Sequence, residues 1–121
     1  MAKPDDKNTI AAKSFAFALR VIKAYKYLTA QSEYVLSKQL LRSGTSIGAN
    51  CREAKNAQSR LDFINKLNIA LKEADETSYW LELLHAGGYI DEQSYTSIYE
   101  DCVELIKLLT SIIKTTKDTT K

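Results

Sequence analysis

Turn-forming residues are scarce in this sequence, with one Pro and four Gly among 121 residues. A fold of many short strands needs such punctuation every few positions, so a sandwich or barrel is excluded; a few long helices need almost none. Histidine occurs once, as His85, which excludes a two-histidine metal motif within one chain. Two cysteines, Cys51 and Cys102, have no partner at CxxC spacing, and they read as reduced, buried small hydrophobes. No apolar run approaches the roughly 18 residues of a membrane span. The N-terminal Met1-Ala2-Lys3-Pro4-Asp5-Asp6 lacks the apolar stretch of a secretory signal. The expectation is a cytoplasmic protein with no membrane partner.

What is present is helical periodicity. Apolar residues recur at alternating spacings of three and four in four segments, the pattern of one helix face. The first segment carries Phe15, Ala18, Ile22 and Tyr25, with Asn8 as a candidate cap. The second carries Leu36, Leu40, Ser43, Ile47, Asn50 and Ala54. The third carries Phe63, Leu67, Ala70, Ala74, Thr77, Leu81 and Leu84, and the fourth Tyr95, Ile98, Cys102, Leu105, Leu109 and Ile112. Ser59 and Asp91 are suitable N-caps, Asp62 stands in capping-box position, and Gly87-Gly88 supplies a left-handed helix stop. The spacing predicts helices over about 9–29, 33–56, 60–86 and 92–114, with flexible tails at 1–7 and 115–121. Short connections make sequential helices antiparallel neighbours, so the fold class is all-α, a single antiparallel up-down four-helix bundle spanning 1–121.

The helices hold more apolar surface than a lone bundle needs. Phe17, Val21, Ala24 and Leu28 form a second stripe on the first helix, about 100° from the first stripe. Ile69, Trp80 and Leu83 lie off the core line of the third. Surplus ordered stripes point to self-association, with Phe17, Val21, Leu28, Ile69, Trp80 and Leu83 as candidate interface residues. Charge is also segregated. Residues 1–72 hold 13 basic side chains against 5 acidic, residues 73–106 hold 9 acidic and none basic, and residues 107–121 hold 4 basic against 1 acidic, for a net charge of +2. A basic half and an acidic hairpin that meet across protomers would close into a homo-oligomeric ring if the contact is heterologous.

The catalytic inventory is thin, and no enzyme or cofactor is expected. Glu82-Leu83-Leu84-His85 matches one Glu-x-x-His unit of di-iron bundles, but the second unit and its extra glutamates are missing. Gly44-Thr45-Ser46-Ile47-Gly48 lacks the Lys of a phosphate loop and lies inside a helix. Its two glycines share a face, and two mid-helix glycines at about 1 kcal/mol each suggest close packing of a neighbouring helix. Ser43 and Asn50 place polar groups on the core line, where Asn50 would fix register. Glu73 and Glu76 flank the seam of the third helix as interface or specificity pairs for Arg42, Arg52 or Lys38. Lys38, Arg42 and Arg52 share an arc of about 80° opposite the core of the second helix. With Lys55, Lys13 and Lys23 they are the candidate nucleic-acid-binding residues, suited to contact an RNA phosphate backbone. No base-reading motif accompanies them. Two readings therefore stand side by side: an RNA-associated scaffold, or a protein–protein adaptor whose basic stripe is spent in the oligomer interface.

Two longer stretches carry a resemblance. Gln39-Leu40-Leu41-Arg42-Ser43-Gly44-Thr45-Ser46-Ile47-Gly48-Ala49-Asn50-Cys51-Arg52-Glu53-Ala54 and Lys72-Glu73-Ala74-Asp75-Glu76-Thr77-Ser78-Tyr79-Trp80-Leu81, the latter preceded by Asp62-Phe63-Ile64-Asn65-Lys66-Leu67, resemble the signatures of a bacterial four-helix-bundle family. That family comprises proteins encoded in intervening sequences of 23S ribosomal RNA, and it includes the accessory variability determinant of diversity-generating retroelements. The resemblance implies a homopentameric ring with a basic surface that in some members binds RNA and a protein partner. It carries over Arg42, Ser43, Asn50, Glu53, Glu73, Glu76 and Trp80 as structural or interface residues. Cys51 stands where the family pattern suggests an aliphatic residue, and Gly48 where proline is frequent.

Overall fold

A computed structural model of the chain describes residues 7–119. Four helices follow in order, α1 (Ile10–Ala30), α2 (Leu36–Lys55), α3 (Arg60–Ala86) and α4 (Glu92–Asp118), and no strand occurs among the described residues. α1 packs on α2, α2 on α3, α3 on α4, and α4 closes loosely back on α1; diagonal helices do not pack. This is the up-down bundle that short connections dictate. α2 starts three residues later than its periodicity suggested, and α4 continues through Asp118, so 115–118 is helix where a flexible tail was expected. Of the two tails expected at 1–7 and 115–121, residues 1–6 and 120–121 lie outside the described residues.

Local chemistry accounts for the ends. Ser59 Oγ accepts the Asp62 N–H at 3.0 Å, and Asp91 Oδ1 accepts the Ser94 N–H at 2.7 Å, the two caps read from sequence. At α1 the cap is Thr9, which accepts the Ala12 N–H at 3.1 Å, and not Asn8. α1 and α3 both stop in the same way: a left-handed residue, Ser32 (φ 64) or Gly88 (φ 84), lets the next N–H reach back to Leu28 O or Leu84 O.

The start of α2 has a cap the sequence did not suggest. Glu33 turns its carboxylate inward, where it accepts the N–H groups of Ser37 (2.6 Å), Leu36 (3.0 Å) and Val35 (3.2 Å). Burial pushes this carboxyl up, but the three N–H bonds outweigh burial and hold it below the ordinary glutamate range. A group whose folded pKa is depressed adds stability that is present above its unfolded pKa and is lost as pH falls through the folded one. Glu33→Ala should therefore cost about 1–2 kcal/mol at neutral pH. The gap between the two proteins should close as pH drops below about 4, a comparison that denaturant melts at neutral and acid pH would make.

The core lines of α3 and α4 follow their periodicity through the middle of each helix and shift by one residue at the ends, where Ile64 is buried in place of Phe63 and Ile113 in place of Ile112, and Tyr95 is only half-buried. Leu67, Ala70, Ala74, Thr77, Leu81 and Leu84 are buried on α3, as are Ile98, Cys102, Leu105 and Leu109 on α4. α1 is different. Its buried residues are Ser14, Phe17, Val21 and Leu28, whereas Phe15 is 59% exposed and Ile22 37%. The expected core stripe and the expected interface stripe have changed places. Phe17, Val21 and Leu28 are therefore interior residues of the protomer, not interface residues. α2 supplies the reason. A Cβ on Gly44 would stand 2.7 Å from Val21 Cγ2, and one on Gly48 would stand 3.4 Å from Ser14 Oγ. The glycine face of α2 thus receives the Ser14–Val21 side of α1, and this close approach turns Phe15 outward.

One polar pair lies in the centre. Thr77 Oγ1 is 2.8 Å from Ser43 Oγ and donates to the Glu73 carbonyl oxygen at 2.7 Å, so both buried hydroxyls are satisfied. Asn50 does not join it. That side chain is half-buried and donates to the Ser46 carbonyl of its own helix, so Asn50 does not fix register as a core residue would.

Candidate nucleic-acid interface

Burial of Leu40, Ser43, Ile47, Cys51 and Ala54 fixes the rotation of α2. Residues half a turn away must then face outward, and Lys38, Arg42, Arg52 and Lys55 are all exposed. At a rise of 1.5 Å per residue, Lys38 and Arg52 stand about 21 Å apart along the helix.

The six candidate cations are not equivalent. Arg42 bridges to α3, with Nη1 3.3 Å from Glu73 Oε1 and Nη2 against Glu76 Oε2. Trp80 Nε1–H donates to the same Glu76 carboxylate at 2.8 Å, and the Trp80 ring is half-buried. Glu73, Glu76 and Trp80 are thus joined to Arg42 within the protomer, so these candidate interface residues form a strut between α2 and α3. Lys13 pairs with Glu104 of α4 at 3.1 Å. Arg20 reaches Asp101 at 2.6 Å and Ser97 Oγ at 2.9 Å. Four of the nine acids in 73–106, Glu73, Glu76, Asp101 and Glu104, are thus met by cations of their own protomer. Lys23, Lys38, Arg52 and Lys55 are exposed and have no ion-pair partner among the described residues. Of the remaining interface candidates, Ile69 is 42% exposed and Leu83 is half-buried.

Beside the free cations runs a groove of about 520 Å³ between α1 and α2, with Phe15 and Ala18 on one wall, Thr45 and Ala49 on the other, and Arg52, Glu53 and Lys55 as its charged lining. The outward turn of Phe15 creates it. The aromatic residues Tyr27 and Tyr34 are also exposed, and neither lies on an apolar stripe that periodicity marks.

Other chemistry is accounted for locally. His85 Nε2 lies 3.1 Å from Glu92 Oε1, and its ring stacks on Tyr95 at 4.1 Å between centroids. Glu82 accepts the Tyr99 hydroxyl at 3.3 Å. No group of three or more His, Cys, Asp or Glu side chains is placed to hold a metal among the described residues. Burial pushes the Cys51 thiol up and the Cys102 thiol up to about 12, which keeps both protonated and poorly nucleophilic. No helix among the described residues is long and apolar enough to cross a membrane.

The family profile of the 23S rRNA-intervening sequence protein matches residues 6–111, nearly the whole bundle. The chain belongs to that family. Its structure is similar to the crystal structure of a protein of unknown function from the S23 ribosomal protein family of Bacteroides thetaiotaomicron, with 62% sequence identity and a TM-score of 0.87. That likeness covers 88% of this chain and 99% of the other. No match was found among proteins of curated function. The signature residues that carried the resemblance now have physical roles. Ser43 joins Thr77, Arg42 joins Glu73 and Glu76, and Glu53 pairs with Lys66 at 2.9 Å. Within this family member, the signature is the seam between α2 and α3.

Proposed function

We propose that the chain is a non-catalytic, self-assembling scaffold that holds RNA by its phosphate backbone against the outer face of α2. The observation that carries this reading is the state of Lys38, Arg52 and Lys55. They are exposed on α2 and free of ion pairs, whereas Arg42 of the same helix is spent on Glu73 and Glu76. An unpaired ammonium or guanidinium can replace the counterions of a phosphate chain without first breaking a protein contact. Assembly would repeat this weak face and raise its avidity. The apolar residues left outside, Phe15, Leu19 and Ile22 on α1 and Leu61, Ile69 and Tyr79 on α3, supply self-association surface in place of the buried Phe17, Val21 and Leu28. The homopentameric ring implied by the family resemblance is the assembly proposed, in the cytoplasm.

The groove rimmed by Arg52 and Lys55 favours a second reading, in which these cations meet another protein and no nucleic acid binds. Light scattering at low and high salt, with and without a structured RNA, separates the two. The scaffold reading expects an assembly that takes up RNA at low salt and releases it at high salt, and loses uptake in Lys38→Gln/Arg52→Gln. An assembly indifferent to RNA at every salt leaves the adaptor, and a monomer at all concentrations removes both.

A further inference from the structure

Phosphate contacts alone cannot distinguish a single strand from a duplex, and the corner where α1 turns into α2 has the groups to do so. Along the chain from Lys23 to Lys38, the side chains of Lys23, Lys26, Tyr27, Tyr34, Val35 and Lys38 are exposed, Tyr34 at 59%. None of the three lysines has an ion-pair partner among the described residues. One acid lies in this stretch, Glu33, and its carboxylate is turned inward onto the N–H groups of Val35, Leu36 and Ser37. The acid that lines the α1–α4 cleft together with Lys23 and Tyr27 is Asp91, an exposed carboxylate that accepts the Ser94 N–H as the cap of α4. The corner therefore offers positive charge and aromatic faces with little opposing charge directed outward.

The turn is also held in place. Ser32 adopts its left-handed conformation so that Glu33 N–H reaches Leu28 O at 3.0 Å, and Leu28 is fully buried. Glu33 then ties the next residues to the start of α2, and Ser37 Oγ donates back to the Glu33 carbonyl at 2.8 Å. Tyr34 projects from a backbone fixed on both sides, so a ring contact there would not have to order a loose loop first.

We infer that this corner is a stacking platform for unpaired bases of single-stranded RNA. Tyr34 and Tyr27 present the ring faces, and Lys23, Lys26 and Lys38 contact the flanking phosphates. The inference rests on the phosphate-binding reading above and adds a strand preference to it. Stacking needs a free base face, which a single strand has and a duplex interior does not. Lys38 belongs to both the corner and the α2 face, so a strand held at the corner continues onto that face.

Fluorescence-anisotropy titrations of the full chain at low salt test this, with an unstructured oligoribonucleotide and an RNA duplex of equal length as probes. Tyr34→Ala should weaken single-strand binding about tenfold, the usual effect of losing one stacked base, while Tyr34→Phe retains it. Duplex affinity should stay within about twofold in both variants, and the salt dependence should be unchanged, since no phosphate contact is lost. Lys38→Gln should weaken both probes and lower the salt slope by about 1. If Tyr34→Ala and Tyr27→Ala/Tyr34→Ala bind the single strand as the parent does while Lys38→Gln weakens it, the platform is wrong and the phosphate-binding face survives. If the parent binds neither probe at low salt, both readings fall. A change in assembly mass in Tyr34→Ala with unaltered RNA affinity also overturns the platform, because the ring would then pack against another copy of the chain. Tyr34 is exposed, so its replacement does not threaten folding.

Discussion

Phe17→Ala should destabilise the protein by about 3–5 kcal/mol, whereas Phe15→Ala should stay within about 0.5 kcal/mol. The two phenylalanines lie two positions apart on one helix, and periodicity alone assigned Phe15 to the core and Phe17 to an interface. In the structure Phe17 is 2% exposed and belongs to the main hydrophobic cluster with Val21, Leu28 and Leu40. Truncating it removes a large apolar side chain and leaves a cavity that the packed neighbours refill only in part. Domains of this size have stabilities of about 5–15 kcal/mol, so such a loss leaves a marginal protein. Urea melts of the two variants measure this directly. A melt in which Phe15→Ala is the damaging change would mean that α1 is rotated by about 100° from the orientation described here. Phe15→Ala has a separate readout, because its ring lies on the α1–α2 groove: if the outer α1 stripe mediates assembly, this variant should lower the assembled mass while its melt stays unchanged.

Gly44→Ala and Gly48→Ala should have opposite signs, although the two residues are one turn apart on the same helix. Replacing a mid-helix glycine by alanine favours the helix by about 1 kcal/mol when nothing obstructs the new methyl. At Gly48 that methyl meets Ser14 Oγ at 3.4 Å, an ordinary contact, so the substitution should be neutral or stabilising by up to about 1 kcal/mol. At Gly44 it would stand 2.7 and 2.8 Å from the two methyls of Val21. Val21 is fully buried and, being β-branched, has little rotamer freedom with which to move aside. Separating α1 from α2 to make room loosens every contact along their seam. Overpacking of this kind costs about 1–3 kcal/mol, enough to outweigh the helix gain, and Gly44→Ala should be destabilised by about 1–2 kcal/mol net. Val21→Ala in the Gly44→Ala background should recover part of that loss. Thermal melts of the two single variants and the double variant measure the sign at each position and the coupling between them.

Legibility differed from helix to helix for identifiable reasons. α3 and α4 each have one apolar line that outweighs its alternatives, and their interior faces were read correctly from Leu67 to Leu84 and from Ile98 to Leu109. α1 has two lines of similar apolar content. Burying either would remove comparable apolar area from water, and the hydrophobic effect has no direction of its own with which to choose. The deciding information lay elsewhere, in the glycines of α2. Their spacing announced a close approach, but the residues that approach them, Ser14 and Val21, became known only when the two helices were seen together. Similarly, Arg42, Glu73 and Glu76 were recognisable as partners in kind, while their pairing inside one protomer is a matter of tertiary placement. Glu33 escaped notice because its long side chain caps α2 from outside the usual cap position.

By itself the sequence determined that there are four helices, where they begin and end to within a few residues, how they alternate in direction, and that their cysteines are buried and not joined to each other. These follow from local terms: spacing, capping and the shortness of the connections. Only the tertiary structure decided which stripe of α1 faces inward, which cations are spent on carboxylates of the same protomer, and that Tyr27 and Tyr34 stand clear among unpaired lysines. Each of those depends on which surfaces two helices share. That choice is made by steric fit and charge pairing between elements far apart in sequence, and no single segment records it.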